Sequence, residues 1–213
     1  LTSAQMQALS SAQLSTIDLT EVDAFTNTQL LALSDAQLLA IDEDVANKIF
    51  LKTLTIDALR SFSTKQIRAL SERQLNSLST DQIRSLLTSQ LRALTTSQLQ
   101  MLSFDQVAAI TSTQLVALRN DQLNSLTASV IPAISATALN ALSAAKWSVL
   151  TTSQISELSF NQLAQLNSNA IAALQPKQIA AIYPEAVAGL SAANLGRLTV
   201  RQLAALSSLS LIH

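Results

Sequence analysis

A large apolar residue followed at once by Ser or Thr recurs every eight residues, and that period constrains this chain more than any other feature. Leu70-Ser71-Glu72-Arg73-Gln74-Leu75-Asn76-Ser77 is a clean copy, and Leu78-Ser79-Thr80-Asp81-Gln82-Ile83-Arg84-Ser85 follows without a gap. The octad places a large apolar residue at position 1, Ser or Thr at 2, Gln at 5 and a second large apolar residue at 6. The phase holds through six octads over 1–48 and 20 more over 54–213, with 49–53 as a five-residue insert. We read 1–213 as one continuous repeat array.

The period excludes a single long helix. At about 100° per residue, eight residues carry the apolar position ~80° round the helix in each octad, so no lasting stripe forms. A β-solenoid would need glycine-rich turns, yet the chain has Gly at two positions and is rich in Ala, Leu and Gln, which favour helix. What remains is a helix that starts afresh in every octad. The hydroxyl at position 2 is its N-cap, and Gln at position 5 is N3, closing a capping box. Positions 1 and 6 are then N′ and N4, the two halves of a hydrophobic staple.

Position 1 is Leu, Ile or Phe in all 26 octads, and position 6 is large and apolar in all except Ala46. Position 2 is Ser, Thr, Asp or Asn in 22 octads, the exceptions being Leu87, Arg119, Gln175 and Tyr183. Two of those exceptions precede Pro176 and Pro184, both at N1, where proline suits a helix start. Pro132, at position 7, falls inside its helix and should distort it. Each helix would run only about six residues, ~9 Å, so its stability must come from stacking on neighbours. The expected fold is therefore an all-α solenoid of tandem short capped helices, one per octad, coiling into a superhelix. The insert should lengthen one helix from Asp42 onward, and the last octad reads as a capping unit or a truncation edge. The chain begins at position 1 and ends at position 8, as a slice of something longer would.

Composition narrows the chemistry. No cysteine is present, which excludes disulfides and Cys-based metal or redox motifs. A polar residue interrupts every octad, so no run approaches the ~20 apolar residues of a membrane span. Charge is uneven along a chain of net charge −1: 1–48 carries −6, and 49–93 carries +4. This contrast suggests association of arrays with themselves, head to tail or laterally.

Few features point to a ligand. Arg60, Arg68, Arg84 and Arg92 all occupy position 7, with Asn76 in the one gap. If equal positions line one face, they form a basic stripe able to track phosphates or grip an acidic partner. The near-neutral balance and nearby Asp57, Glu72 and Asp81 favour a solvated face instead, against a nucleic-acid reader. Asp35, Asp42, Glu43 and Asp44 lack the glycine-bearing loop of a calcium site and read as an acidic helix start. Gln at position 5 recurs 16 times; capping explains it without a ligand. Trp147 reads as core filler, whereas Phe104 and Phe160 at position 3 suit either contact points or local packing. His213 is the single histidine, and no Ser stands at motif spacing from a base, so we expect neither catalysis nor a cofactor or metal.

The motif Leu-Ser/Thr-x-x-Gln-Leu/Ile-x-Ala-Leu, headed by Phe in Phe62 to Leu70 and by Ile in Ile110 to Leu118, resembles repeat tracts of very long bacterial secreted or surface proteins, often adhesin-like. It covers nearly the whole chain, with frequent departures after Leu126. The resemblance implies an extracellular or cell-surface spacer, stalk or matrix component, and no functional residues carry over from it.

Overall fold

The computed structural model describes residues 1–14, 16, 26, 28–29, 32–34, 37 and 54–210. The insert at 49–53, the acidic group Asp35, Asp42, Glu43 and Asp44, and His213 lie outside the described residues. Every octad from the one headed by Leu54 to the one headed by Leu198 contains one short helix. Among the described residues there is no strand.

Each helix begins as the octad chemistry requires. In Glu72–Asn76 the N-cap Ser71 is extended, at φ −65° and ψ 160°. Its hydroxyl accepts the Gln74 N–H at 3.2 Å, and Gln74 Oε1 accepts the Ser71 N–H at 2.8 Å. The same reciprocal pair joins Ser63 to Gln66, Ser79 to Gln82, Thr95 to Gln98 and Ser159 to Gln162. Two N–H groups that a helix start would leave orphaned are thereby satisfied within four residues. Where position 2 is Leu87 or Arg119, no side-chain cap bond forms, but the N–H still donates to the position 5 amide oxygen, at 2.9 and 3.0 Å. Half the box survives. Pro176 and Pro184 stand at the helix starts, and the unit holding Pro132 is a 3₁₀ helix, Ala128–Ala133.

Among the described residues, corners are made without left-handed residues. Position 1 leaves the helix in an extended conformation, as at Leu70 (φ −59°, ψ 132°), while its N–H still bonds Ile67 O at 3.3 Å. Position 2 is extended as well, so two residues redirect the chain. No described residue has a positive φ.

The chain divides into two compact units, Leu1–Ala109 and Ile110–His213. In each unit, helices three octads apart pack together. In the first, Ile56–Arg60 packs on Thr80–Ser85, and Thr64–Ala69 on Thr88–Ala93. In the second, Ala144–Val149 packs on Ser168–Ala173, and Phe160–Gln165 on Pro184–Val187. Positions 6 and 1 line the core: Leu59, Ile67, Leu75, Ile83 and Leu91 have no exposed surface, and Leu70 and Leu78 retain 3%. Burying such a side chain contributes ~1.5–3 kcal/mol, and two per octad make up for a helix too short to survive alone.

The chain end departs from the octad rhythm. Val200–Ser210 is one helix of 11 residues, running straight through the corner expected at Leu206. Leu203, at position 6, is 43% exposed. The helix nevertheless packs on Pro176–Ile179, and Gln202 Nε2 bonds Leu174 O at 2.6 Å.

Candidate functional site: an amide ladder between turns

The position 5 glutamines do more than cap. Gln90 is 1% exposed, and its Oε1 is taken by Leu87 N–H. Its Nε2 reaches across the core to the carbonyls of Leu59, Arg60 and Phe62 at 2.9, 3.2 and 2.9 Å. These acceptors lie 28 to 31 residues back, at the end of a helix in the neighbouring turn and in the corner after it, and Leu59 O also accepts the Phe62 N–H at 3.2 Å. One amide thus caps the start of its own helix and the end of another.

The pattern repeats. Gln106 donates to Leu75 and Leu78, both at 2.9 Å. Gln162 donates to Ile131 and Ile134 at 2.9 and 2.7 Å, and Gln178 to Trp147 and Leu150 at the same two distances. A turn within each unit therefore takes between three and four octads. Sequence reasoning saw only the capping half. The departures at position 5 keep the rule where they retain a donor: Asn194 Nδ2 reaches Leu166 O at 3.0 Å, and Lys146 Nζ reaches Leu118 O.

The insert leaves this register intact. Gln82 Nε2 bonds Leu54 O, 28 residues back, whereas Gln66 Nε2 bonds Leu33 O, 33 residues back. The difference equals the five residues at 49–53, so the insert adds length without adding a step to the turn.

The four arginines expected to form a stripe sit on helices that pack three octads apart. Arg60 and Arg84 lie on one pair of packed helices, and Arg68 and Arg92 on another. All four are exposed, but they form two rows, and Asn76 belongs to neither. Arg84 Nη1 bonds Asp81 Oδ1 at 2.9 Å, an open surface pair of the kind that contributes little. At Arg119, Nε and Nη2 grip both oxygens of Asp121 at 3.1 Å. That hydrogen bonding is the main reason the Asp121 carboxyl is held below its ordinary pKa.

The aromatic side chains separate by position. Trp147 is wholly buried, and its Nε1–H has no hydrogen-bond partner among the described residues. Phe104 and Phe160 are each half exposed, so they are surface features and not core. Among the described residues no group of three His, Asp or Glu side chains is placed to hold a metal, and no helix is long and apolar enough to cross a membrane.

One cleft opens where the ladder is interrupted. Asn140, Leu142, Ser143, Asn167 and Asn169 are among its lining residues, and its volume is about 490 Å³. Here position 5 is Ala170, and two asparagines share the missing work. Asn140 Oδ1 accepts the Asn167 N–H at 2.8 Å, and Asn140 Nδ2 donates to Gln165 O at 2.9 Å.

The chain is similar to the ALTTAQ repeat, whose family model matches residues 53–88 and 81–112. The two overlapping stretches span less than a third of the chain, within its most regular octads. A search of curated proteins gives no significant match.

Proposed function

We propose that this chain is a structural repeat scaffold, a spacer or stalk segment of a secreted or cell-surface bacterial protein, with no catalytic role. The amide ladder carries this reading. The side-chain groups that recur along the array, the position 2 hydroxyl and the position 5 amide present in 16 of the 26 octads, are spent on holding it together. A turn built this way offers the next turn the same row of carbonyls, so length follows from repetition alone. Similarity to a repeat family, and the resemblance to tracts of long surface proteins, support the same role.

The test is surface proteolysis and fractionation of the native cells, with an antibody following this chain. Loss of the signal from intact cells, or its presence in the medium, is the expected result. Full protection in the cytoplasmic fraction overturns the surface assignment.

A second reading follows from the exposed arginine rows: an acidic partner gripped by Arg60 with Arg84 and by Arg68 with Arg92. It predicts binding that weakens steeply with salt. Arg→Ser changes in one row should abolish part of that binding, and changes in both rows all of it. Salt-insensitive binding, or none, removes this alternative.

A further inference from the structure

The cleft beside Ala170 is a break in the ladder that only half repairs itself. A glutamine at 170 would send its oxygen to the Asn167 N–H and its nitrogen to the carbonyl of Leu142, 28 residues back, as Gln90 does to Phe62 and Gln162 to Ile134. Asn140 performs the first task, through its 2.8 Å bond from Asn167. The nitrogen's task is met only in part. Asn167 Nδ2 reaches Asn140 O at 3.4 Å, and no donor among the described residues reaches Leu142 O.

The protein itself shows what that carbonyl can bind. Equivalent carbonyls accept a Gln carboxamide at Phe62, Leu78, Leu126, Ile134 and Leu150, and an Asn carboxamide at Leu166. At Leu118 the donor is the Lys146 ammonium. The cleft at Leu142 has no charged side chain in its lining, so nothing there offsets the desolvation of a cation. A neutral donor suits it better.

We propose that this cleft binds a primary carboxamide carried by a small molecule, whose –NH₂ donates to Leu142 O as a position 5 glutamine would. The exposed Asn169 side chain stands at the rim to donate to the ligand's carbonyl. The volume lies within the ~300–1,000 Å³ usual for small-ligand sites and exceeds what one amide group fills. The ligand therefore carries further polar or small apolar atoms, as N-acetylglutamine methylamide does. The inference is independent of the scaffold reading, since a spacer can carry such a site or lack it.

The experiment is an amide ¹H–¹⁵N titration of the full chain with propionamide and with N-acetylglutamine methylamide, alongside propionate and propylammonium. Saturable shifts confined to residues around 141–143 and 167–169 are expected with the two carboxamides. The two ions should bind about tenfold more weakly, the loss expected when one hydrogen bond is replaced by an unfavourable contact. Ala170→Gln, which supplies the amide from within, should raise the melting temperature and abolish binding. Asn169→Ala should weaken it while leaving the fold intact, so the test survives if Ala170→Gln misfolds. Shifts of equal size with propionate or propylammonium, unchanged binding in Ala170→Gln, or no saturable shift with either carboxamide would overturn the proposal.

Discussion

Replacing Gln90 with alanine should destabilise the array by far more than its place on a short, repetitive helix suggests. The side chain is 1% exposed. Its oxygen satisfies Leu87 N–H at 2.9 Å, and its nitrogen satisfies carbonyls of Leu59, Arg60 and Phe62. Truncation strands a buried donor, the Leu87 N–H, and removes the amide from the Phe62 carbonyl, while Leu59 O keeps its bond from the Phe62 N–H. Each group left unpaired costs ~1–3 kcal/mol, and a lost buried methylene adds ~0.8. Water entering the gap returns part of this, so we expect a loss of about 3 kcal/mol.

Repeat arrays need not unfold in one step, so urea titration by circular dichroism should be paired with hydrogen exchange at Leu87 N–H. About 3 kcal/mol corresponds to exchange faster by roughly two orders of magnitude. Gln100→Ala is the control, an exposed position 7 residue whose loss should fall within ~0.5 kcal/mol. Gln90→Glu adds a pH signature. Facing backbone carbonyls without solvent, the new carboxylate would have its pKa raised above the ~4.3 of the unfolded chain. Folding then favours the protonated form. The variant should approach wild-type stability below pH ~4 and lose it as pH rises through the shifted pKa. Equal losses for Gln90→Ala and Gln100→Ala, or a Gln90→Glu penalty that ignores pH, would refute the ladder as a source of stability.

Three further outcomes are expected. A Cβ on Gly189 would lie 2.5 Å from Phe160 O, whereas one on Gly196 meets its nearest atom at 3.4 Å. Gly189→Ala should therefore lower stability by ~2 kcal/mol or more, and Gly196→Ala should leave it unchanged or raise it by ~0.5; thermal melts separate the two. Ser71→Ala should cost about 1 kcal/mol, and Leu87→Ser, placed in the extended N-cap conformation already present, should gain ~0.5–1 in urea titrations. Arg119→Ser should return the Asp121 pKa toward its ordinary value, read from the side-chain carboxyl in an NMR titration. Because Arg119 depresses that pKa, its small stabilising effect is present above the unfolded pKa and fades as pH falls through the folded one. An Asp121 pKa that does not move in the variant would show the guanidinium is not the cause.

The helix starts, their spacing and their local chemistry are legible in the chain itself, because each is settled within one octad. Ser71 and Gln74 find each other three residues apart whatever the rest of the array does, and Pro176, Pro184 and Pro132 act through their own rings. The apolar pair at positions 1 and 6 likewise announces which residues are buried. Other features depended on how turns stack. The second role of Gln90 has no sequence signature, since its acceptors are backbone carbonyls that every residue possesses, 28 to 31 positions away. The number of octads in a turn follows from backbone angles at positions 1 and 2, which many side chains allow, and from how closely one turn settles on the next. That stacking, and not the shared octad position, divides Arg60, Arg68, Arg84 and Arg92 into two rows. It also lets five inserted residues pass without a change of register, and brings Asn140 to Asn167 where Ala170 has no amide to offer.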